Sequence, residues 1–262
     1  MNDALPAAER AALRARVFLK AVLPLLESVL CYDPKYRELF ANVTAQVRFS
    51  ATTLPFAATL DFAAGALNVV AESSTKPTIN CQFRDVAALN GFFSGGLALP
   101  KVDGLRHPLL IAKVLRLMLA LQVLKPGPPP RDAQERALRV RLVLTLVSRA
   151  LVQLYFGGYP PMVDLVSDSP DRVYQWTVQR EGIAVWLRMC HGRIKSGSGS
   201  YPHRAPFVHF IFPDVDAALR VFTSSEQMSG VRDGAVQTLG CPEYTRKVAG
   251  MMQAMDQLLV EG

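Results

Sequence analysis

The stretch from Ile79 to Phe93, INCQFRDVAALNGFF, alternates apolar and polar positions up to an Asp and then changes to a helical apolar period. Val208 to Phe222, VHFIFPDVDAALRVF, does the same. Ile79, Cys81 and Phe83 share one face of an extended segment, as do Val208, Phe210 and Phe212, because successive strand side chains point to opposite sides. Asp85 and Asp214 follow where a helix N-cap is wanted: a carboxylate there accepts bonds from the free N–H groups of the first turn and suits the helix dipole. Each copy predicts strand, cap, helix.

Around these copies the patterns run in the same order. Residues 8–31 predict an amphipathic helix that Pro24 is expected to kink, and Asp33-Pro34 breaks the chain before a short helix at YRELF. Ala45, Val47 and Phe49 alternate with polar residues. A turn near Thr53, a second strand with Phe56, Ala58, Leu60 and Phe62 on one face, a turn at Gly65 and a third strand to about Ala71 follow. Ser73 to Pro77 reads as a polar loop. Gly95-Gly96 ends the helix of the first copy, and a segment LALPKVDG leads to an apolar helix over 107–124.

LKPGPPPRDAQ is a Pro/Gly-dense linker, and beyond it the order repeats. A long helix over 134–156 and a break at Gly157 to Pro161 come first. Tyr174, Trp176 and Val178 then take the places of Ala45, Val47 and Phe49, while Ile183, Val185, Leu187 and Met189 take those of Phe56, Ala58, Leu60 and Phe62. Gly192 stands for Gly65, Asp233-Gly234 for Asp103-Gly104, and a helix over 243–260 for 107–124. A spacing held between about 125 and 130 residues is far longer than a solenoid repeat, so a whole domain is duplicated. Domains are expected at 1–126 and 127–262.

Composition narrows the class. Half of the 262 residues are hydrophobic, enough for one large core or two modest ones. The net charge of +7 is uneven: residues 1–130 hold 14 Lys/Arg against 9 Asp/Glu, or +5, which favours acidic partners such as anionic membrane surfaces. No Lys/Arg block interleaves with aromatics, so nucleic acid is not an expected partner. Cys31, Cys81, Cys190 and Cys241 form no CxxC pair, and the N-terminus is acidic and helix-like where a secretory signal would be basic and then continuously apolar. Both point to a reduced, cytoplasmic setting. The apolar runs 17–30, 107–124 and 138–156 each carry charges that disfavour a membrane span.

Strands, capped helix of the form VxALxxFxSG, glycine turn and apolar terminal helix together resemble the sterol carrier protein 2 family of lipid-binding domains. The residues that carry the resemblance are FRDVAALNGFFSGGLALPKVDG in the first half, and FPDVDAALRVF with VRDG in the second. The helices at 8–31 and 134–156 are additions, one per repeat. Pro100 falls where the last short strand is due and removes a ladder donor, and EQMSGVRDG is a poor strand in the second half.

The resemblance implies an α+β fold: two tandem sterol-carrier-like domains, each a mostly antiparallel sheet of about five strands covered on one face by helices. It also implies a hydrophobic tunnel between sheet and helices for a sterol, fatty acyl chain or phospholipid. The expected lining is Phe83, Leu89, Phe92, Phe93, Leu110, Val114 and Leu117 in the first half, with Leu109 and Met118 on the same helix. In the second it is Trp176, Phe212, Leu219, Phe222, Val248, Met251, Met252 and Met255, the methionines suiting an adaptable apolar guest. Burying about 400 Å² of lipid at ~25 cal/mol/Å² gives roughly 10 kcal/mol, less about 4 or more for association, which implies micromolar binding or tighter.

Catalytic chemistry is not expected. KSGSGS at 195–200 lacks the spacing of a phosphate-binding loop and reads as a flexible hairpin loop. His191, His203 and His209 are scattered, and no metal or other cofactor is implied. Cys190 and Cys241 have no evident base. The function expected is lipid binding or transfer. The alternatives are a lipid-presenting accessory protein of a biosynthetic complex, for example one handling polyprenyl quinone precursors, and a ligand-free scaffold.

Overall fold

The alternating stretches pair as strands. In the computed structural model, which describes residues 5–71, 76–125, 127, 130–223 and 235–260, Ala45–Ala51 (β1) and Ala57–Ala63 (β2) are antiparallel and Ala66–Val70 (β3) adds to β2. Ile79–Phe83 (β4) lies parallel to β1 and carries Lys101–Asp103 (β5) on its far side, giving the order β3-β2-β1-β4-β5. Arg172–Val178 (β6), Ile183–Cys190 (β7), Arg193–Ser198 (β8), Val208–Phe212 (β9) and Gln237–Gly240 (β10) repeat this as β8-β7-β6-β9-β10, again with one parallel pair, β6 with β9. The protein is α+β with two five-stranded mixed sheets. Its two units are Met1–Val123 with Asp256–Gly262, and Leu124–Met255.

The helices of the first unit begin with Ala7–Val17 (α1), a π-helical stretch Phe18–Val22, Leu25–Tyr32 (α2) and Pro34–Phe40 (α3). Pro24 has no N–H to continue the ladder, and the Leu23 N–H donates five residues back to the Phe18 carbonyl (2.9 Å), so the expected single helix is split. Val86–Phe93 (α4) and Pro108–Leu119 (α5) complete it. The second unit has Ala133–Phe156 (α6), Pro160–Ser167 (α7), Val215–Thr223 (α8) and Pro242–Val260 (α9), whose last residues fall in the first unit. No proline interrupts α6, which runs unbroken for 24 residues behind its Asp132 cap.

Both cap aspartates act alike: Asp85 Oδ1 accepts from the Ala88 N–H at 2.7 Å, and Asp214 Oδ1 from the Ala217 N–H at 2.8 Å. Gly95-Gly96 closes α4, the Gly96 N–H donating to the Gly91 carbonyl (2.7 Å). The hairpins β2–β3 and β7–β8 share a turn with two left-handed residues, Ala64-Gly65 and His191-Gly192.

Registers move two of the expected equivalences. Val47 pairs with Ile79 as Tyr174 pairs with Val208, so Tyr174, Trp176 and Val178 stand for Val47, Phe49 and Ala51, two residues on from the places expected. A shift of two keeps every side chain on its face, and the alternation is blind to it. Gly240, not Gly234, takes the place of Gly104: their φ angles are +110° and +101°, and a Cβ would strike the Phe207 and Thr78 carbonyl oxygens respectively. Asp233-Gly234, VRDG and EQMSGVRDG lie outside the described residues, as do residues 72–75 of the expected polar loop.

KSGSGS is largely strand rather than a flexible loop. Gly197 pairs with Trp186, whose ring lies where a Cβ would stand (2.3 Å), so the glycine admits an aromatic cover. In each unit the inward strand positions form the core: Val47, Phe49, Leu60, Phe62, Ile79 and Phe83 in the first, Tyr174, Trp176, Val178, Val185, Leu187 and Phe212 in the second.

Candidate ligand-binding site

In the second unit an apolar cavity of about 120 Å³ lies between the sheet and its helices. Strands β6 and β9 supply Trp176, Phe210 and Phe212 as a floor, and α8 supplies Val221 and Phe222. Val236 and Thr238 close one side. Helix α9 contributes Thr245, Ala249, Met252 and Gln253. Trp176 and Phe210 stack at 5.3 Å with their planes 6° apart, and Phe212 meets Phe222 edge-on at 5.6 Å, so the floor and one wall are rigid aromatic surface.

Of the side chains expected from the sequence to line a tunnel here, Trp176, Phe212, Phe222 and Met252 do so. Leu219, Val248 and Met255 are buried and Met251 half-buried, but they are not among the lining residues. Phe210, Val221, Val236, Thr238, Thr245, Ala249 and Gln253 were not expected. Phe210 shares the inward face of its strand with Val208 and Phe212, which is a legible signal. Ala249 and Thr245 carry none: a hydrophobic stripe marks where a helix packs, whereas space is left where its side chains are small.

The first unit treats the same place differently. Counted from the cap aspartates, Phe92 and Phe93 correspond to Val221 and Phe222. Phe93 stacks on Phe18 of the π-helical stretch (5.3 Å) and meets Phe49 (6.2 Å), and Phe92 meets Phe83 (5.3 Å) and Phe93 (5.4 Å). Helix α1 is held on α4 by the Asn90 amide donating to the Ala11 carbonyl (2.9 Å) and by Arg14 donating to Ser94 Oγ (2.9 Å). Phe83, Leu89, Val114 and Leu117 are fully buried, and Leu110, Phe92 and Phe93 half-buried, in aromatic and aliphatic packing. Leu109 points outward, 79% exposed, and Met118 is half-buried.

Open hollows of mixed polarity lie on the surface of the first unit among the described residues. Thr52, Gln82, Phe83, Arg84, Ala87, Ala88, Ala98, Leu99 and Lys101 line one of about 660 Å³. Arg48, Lys76, Asn80, Asp103, Leu105 and Arg106 line most of another of about 440 Å³. Among the described residues no group of three or more His, Cys, Asp or Glu is placed to hold a metal ion, and no helix is long and apolar enough to cross a membrane. Burial pushes the Cys81 thiol up to about 11, which keeps it protonated and inert near neutral pH.

No family model matches the chain, and neither does any curated protein. Among solved structures it is similar to a double mutant of the sec-alkyl sulfatase PisA1, at 14% identity over 63% of this chain and 31% of that one, with a TM-score of 0.25. It is likewise similar to the stereoselective inverting sec-alkylsulfatase Pisa1 from Pseudomonas sp., at 14% identity over 61% and 30% and a TM-score of 0.23. The chain spans less than a third of either structure's length. Likeness at these scores carries no argument about fold or activity.

Proposed function

We propose that this chain is a non-enzymatic lipid-binding protein of the sterol carrier type, in which the second unit withdraws an apolar group from water. The observation that carries the reading is the cavity between sheet and helices, lined by Trp176, Phe212, Phe222 and Met252. At about 120 Å³ the cavity accommodates a single ring or a short stretch of acyl chain, since whole drug-sized ligands need roughly 300 Å³ or more. A complete lipid therefore enters with displacement of α9, whose Met252 re-packs easily because its thioether chain is unbranched. Affinity for a small probe is correspondingly weaker than the micromolar value reckoned for a fully buried lipid.

Native mass spectrometry and solvent extraction of the gently purified full chain test the reading. Co-purified lipid that is lost in an Ala249→Leu variant supports it. An empty protein whose thermal midpoint ignores added fatty acids and sterols turns the reading into that of a scaffold. The packed aromatic interior of the first unit already favours a structural role for that half.

Docking on anionic membranes belongs to the same role. Leu97, Leu99, Leu105 and Leu109 are 97%, 82%, 70% and 79% exposed. Leu99 borders a hollow with Arg84 and Lys101, and Leu105 one with Arg48, Lys76 and Arg106. Apolar side chains set among cations suit an interface of acyl chains and anionic headgroups. Co-sedimentation with phosphatidylserine vesicles, weakened by Leu97→Asp with Leu99→Asp, is the expected result. Equal binding to phosphatidylcholine, or none to either, removes this part.

A further inference from the structure

The cavity of the second unit is not uniformly apolar. Strands β6 and β9 and helix α8 present aromatic and aliphatic side chains to it, while the hydroxyl and amide lining residues come from β10 and α9: Thr238, Thr245 and Gln253. The Thr245 hydroxyl donates to the Cys241 carbonyl at 3.1 Å, the usual back-bond of a helical threonine. Thr238 is different. Its Oγ1 is shut off from solvent and has no hydrogen-bond partner among the described residues. A buried hydroxyl left in this state is destabilising, and native proteins seldom keep one without a use.

Resting on the proposal that this cavity binds an apolar ligand, we infer that the ligand carries a hydroxyl or carbonyl group, bound by Thr238 Oγ1, with its hydrocarbon part against Trp176 and Phe210. The site thus selects alcohol- or carbonyl-bearing lipids over plain hydrocarbon and fixes which end enters. A hydroxyl side chain suits this task because it both donates and accepts, so either group finds a partner. The first unit supplies an internal contrast. Thr238 pairs with Phe210 on β9, and the residue in the matching place on β5 is Val102, paired with Cys81. The packed unit has a methyl where the hollow one has a hydroxyl.

The two units also supply the variant. Thr238→Val is isosteric, and Val102 shows that valine is compatible with this strand position. p-Cresol and p-xylene differ by a hydroxyl in place of a methyl and are small enough for the cavity, and their binding to the full chain is read by titration calorimetry. The ratio of p-cresol to p-xylene affinity is expected to fall about tenfold from the native protein to Thr238→Val, the effect of one buried hydrogen bond. The ligand-free variant is expected to melt no lower than the native protein, since it loses an unpaired polar atom. Binding of both probes with an unchanged ratio overturns the role of Thr238 while leaving the cavity's function standing. Failure of both probes to bind the native protein counts against the cavity reading itself. A variant that melts markedly lower shows that Thr238 already has a structural partner, and the inference fails.

Discussion

Phe92 in the first unit and Val221 in the second stand at the same helical position, counted from Asp85 and Asp214, and the difference carries through each interior. Phe92 and Phe93 join Phe18, Phe49 and Phe83 in a run of ring contacts between 5.3 and 6.2 Å. The second unit keeps Phe222 against Phe212 but has a valine beside it and Ala249 on the covering helix, and there the cavity remains. Two copies of one strand order have been filled in two ways. The lesson is that a sheet covered by helices does not dictate a cavity: a few side-chain volumes and the seating of the first helix do.

The largest effect that could break this contrast comes from truncating its two phenylalanines. Phe93→Ala removes a ring packed on three others and is expected to cost about 3 kcal/mol, whereas Phe222→Ala, beside existing space, should cost about half of that. Urea unfolding measures both, and equal costs would mean that the interiors are alike. Next come the glycines common to both units. Gly104→Ala and Gly240→Ala place a Cβ against a carbonyl oxygen at positive φ, and each should lose roughly 2 kcal/mol. A harmless substitution at either would undo the equivalence drawn between them.

Filling the cavity sharpens the contrast with a gain. Ala249→Leu should stabilise the protein by up to about 1 kcal/mol and abolish p-xylene binding, checked by thermal melts and calorimetry. A loss of stability of several kcal/mol would show that the space is not there to fill.

The smallest effect is a pH response confined to the second unit. His209 lies on the outward side of β9, its Nε2 2.8 Å from Thr177 Oγ1 and 3.4 Å from Gln175 Nε2, and burial holds its pKa below the ordinary imidazole value. The folded state resists protonation there more than the unfolded chain does. Its contribution is therefore whole above the free imidazole pKa and is lost as pH falls below it. His209→Gln should flatten the drop in melting temperature between about pH 7 and pH 5. Asn80, at the corresponding place in the first unit, does not titrate.

Alternation with period two, the capping aspartates, the glycine turns and the recurrence of all three fixed the α+β class, the two sheets' strands and the pairs of helices, because each is a local consequence of backbone geometry and of which face meets water. Register was legible only to within two residues, since a shift of two leaves the faces unchanged. The fifth strand at Gln237–Gly240 fell beyond the expected place. Tertiary structure alone decided how each interior is packed. Phe18, far from Phe93 in sequence, reaches it because Asn90 and Arg14 seat α1, which Phe18 directly follows, on α4. Small residues such as Ala249 leave no mark in a hydrophobic pattern, and whether the space beside them is filled depends on side chains brought from elsewhere in the fold.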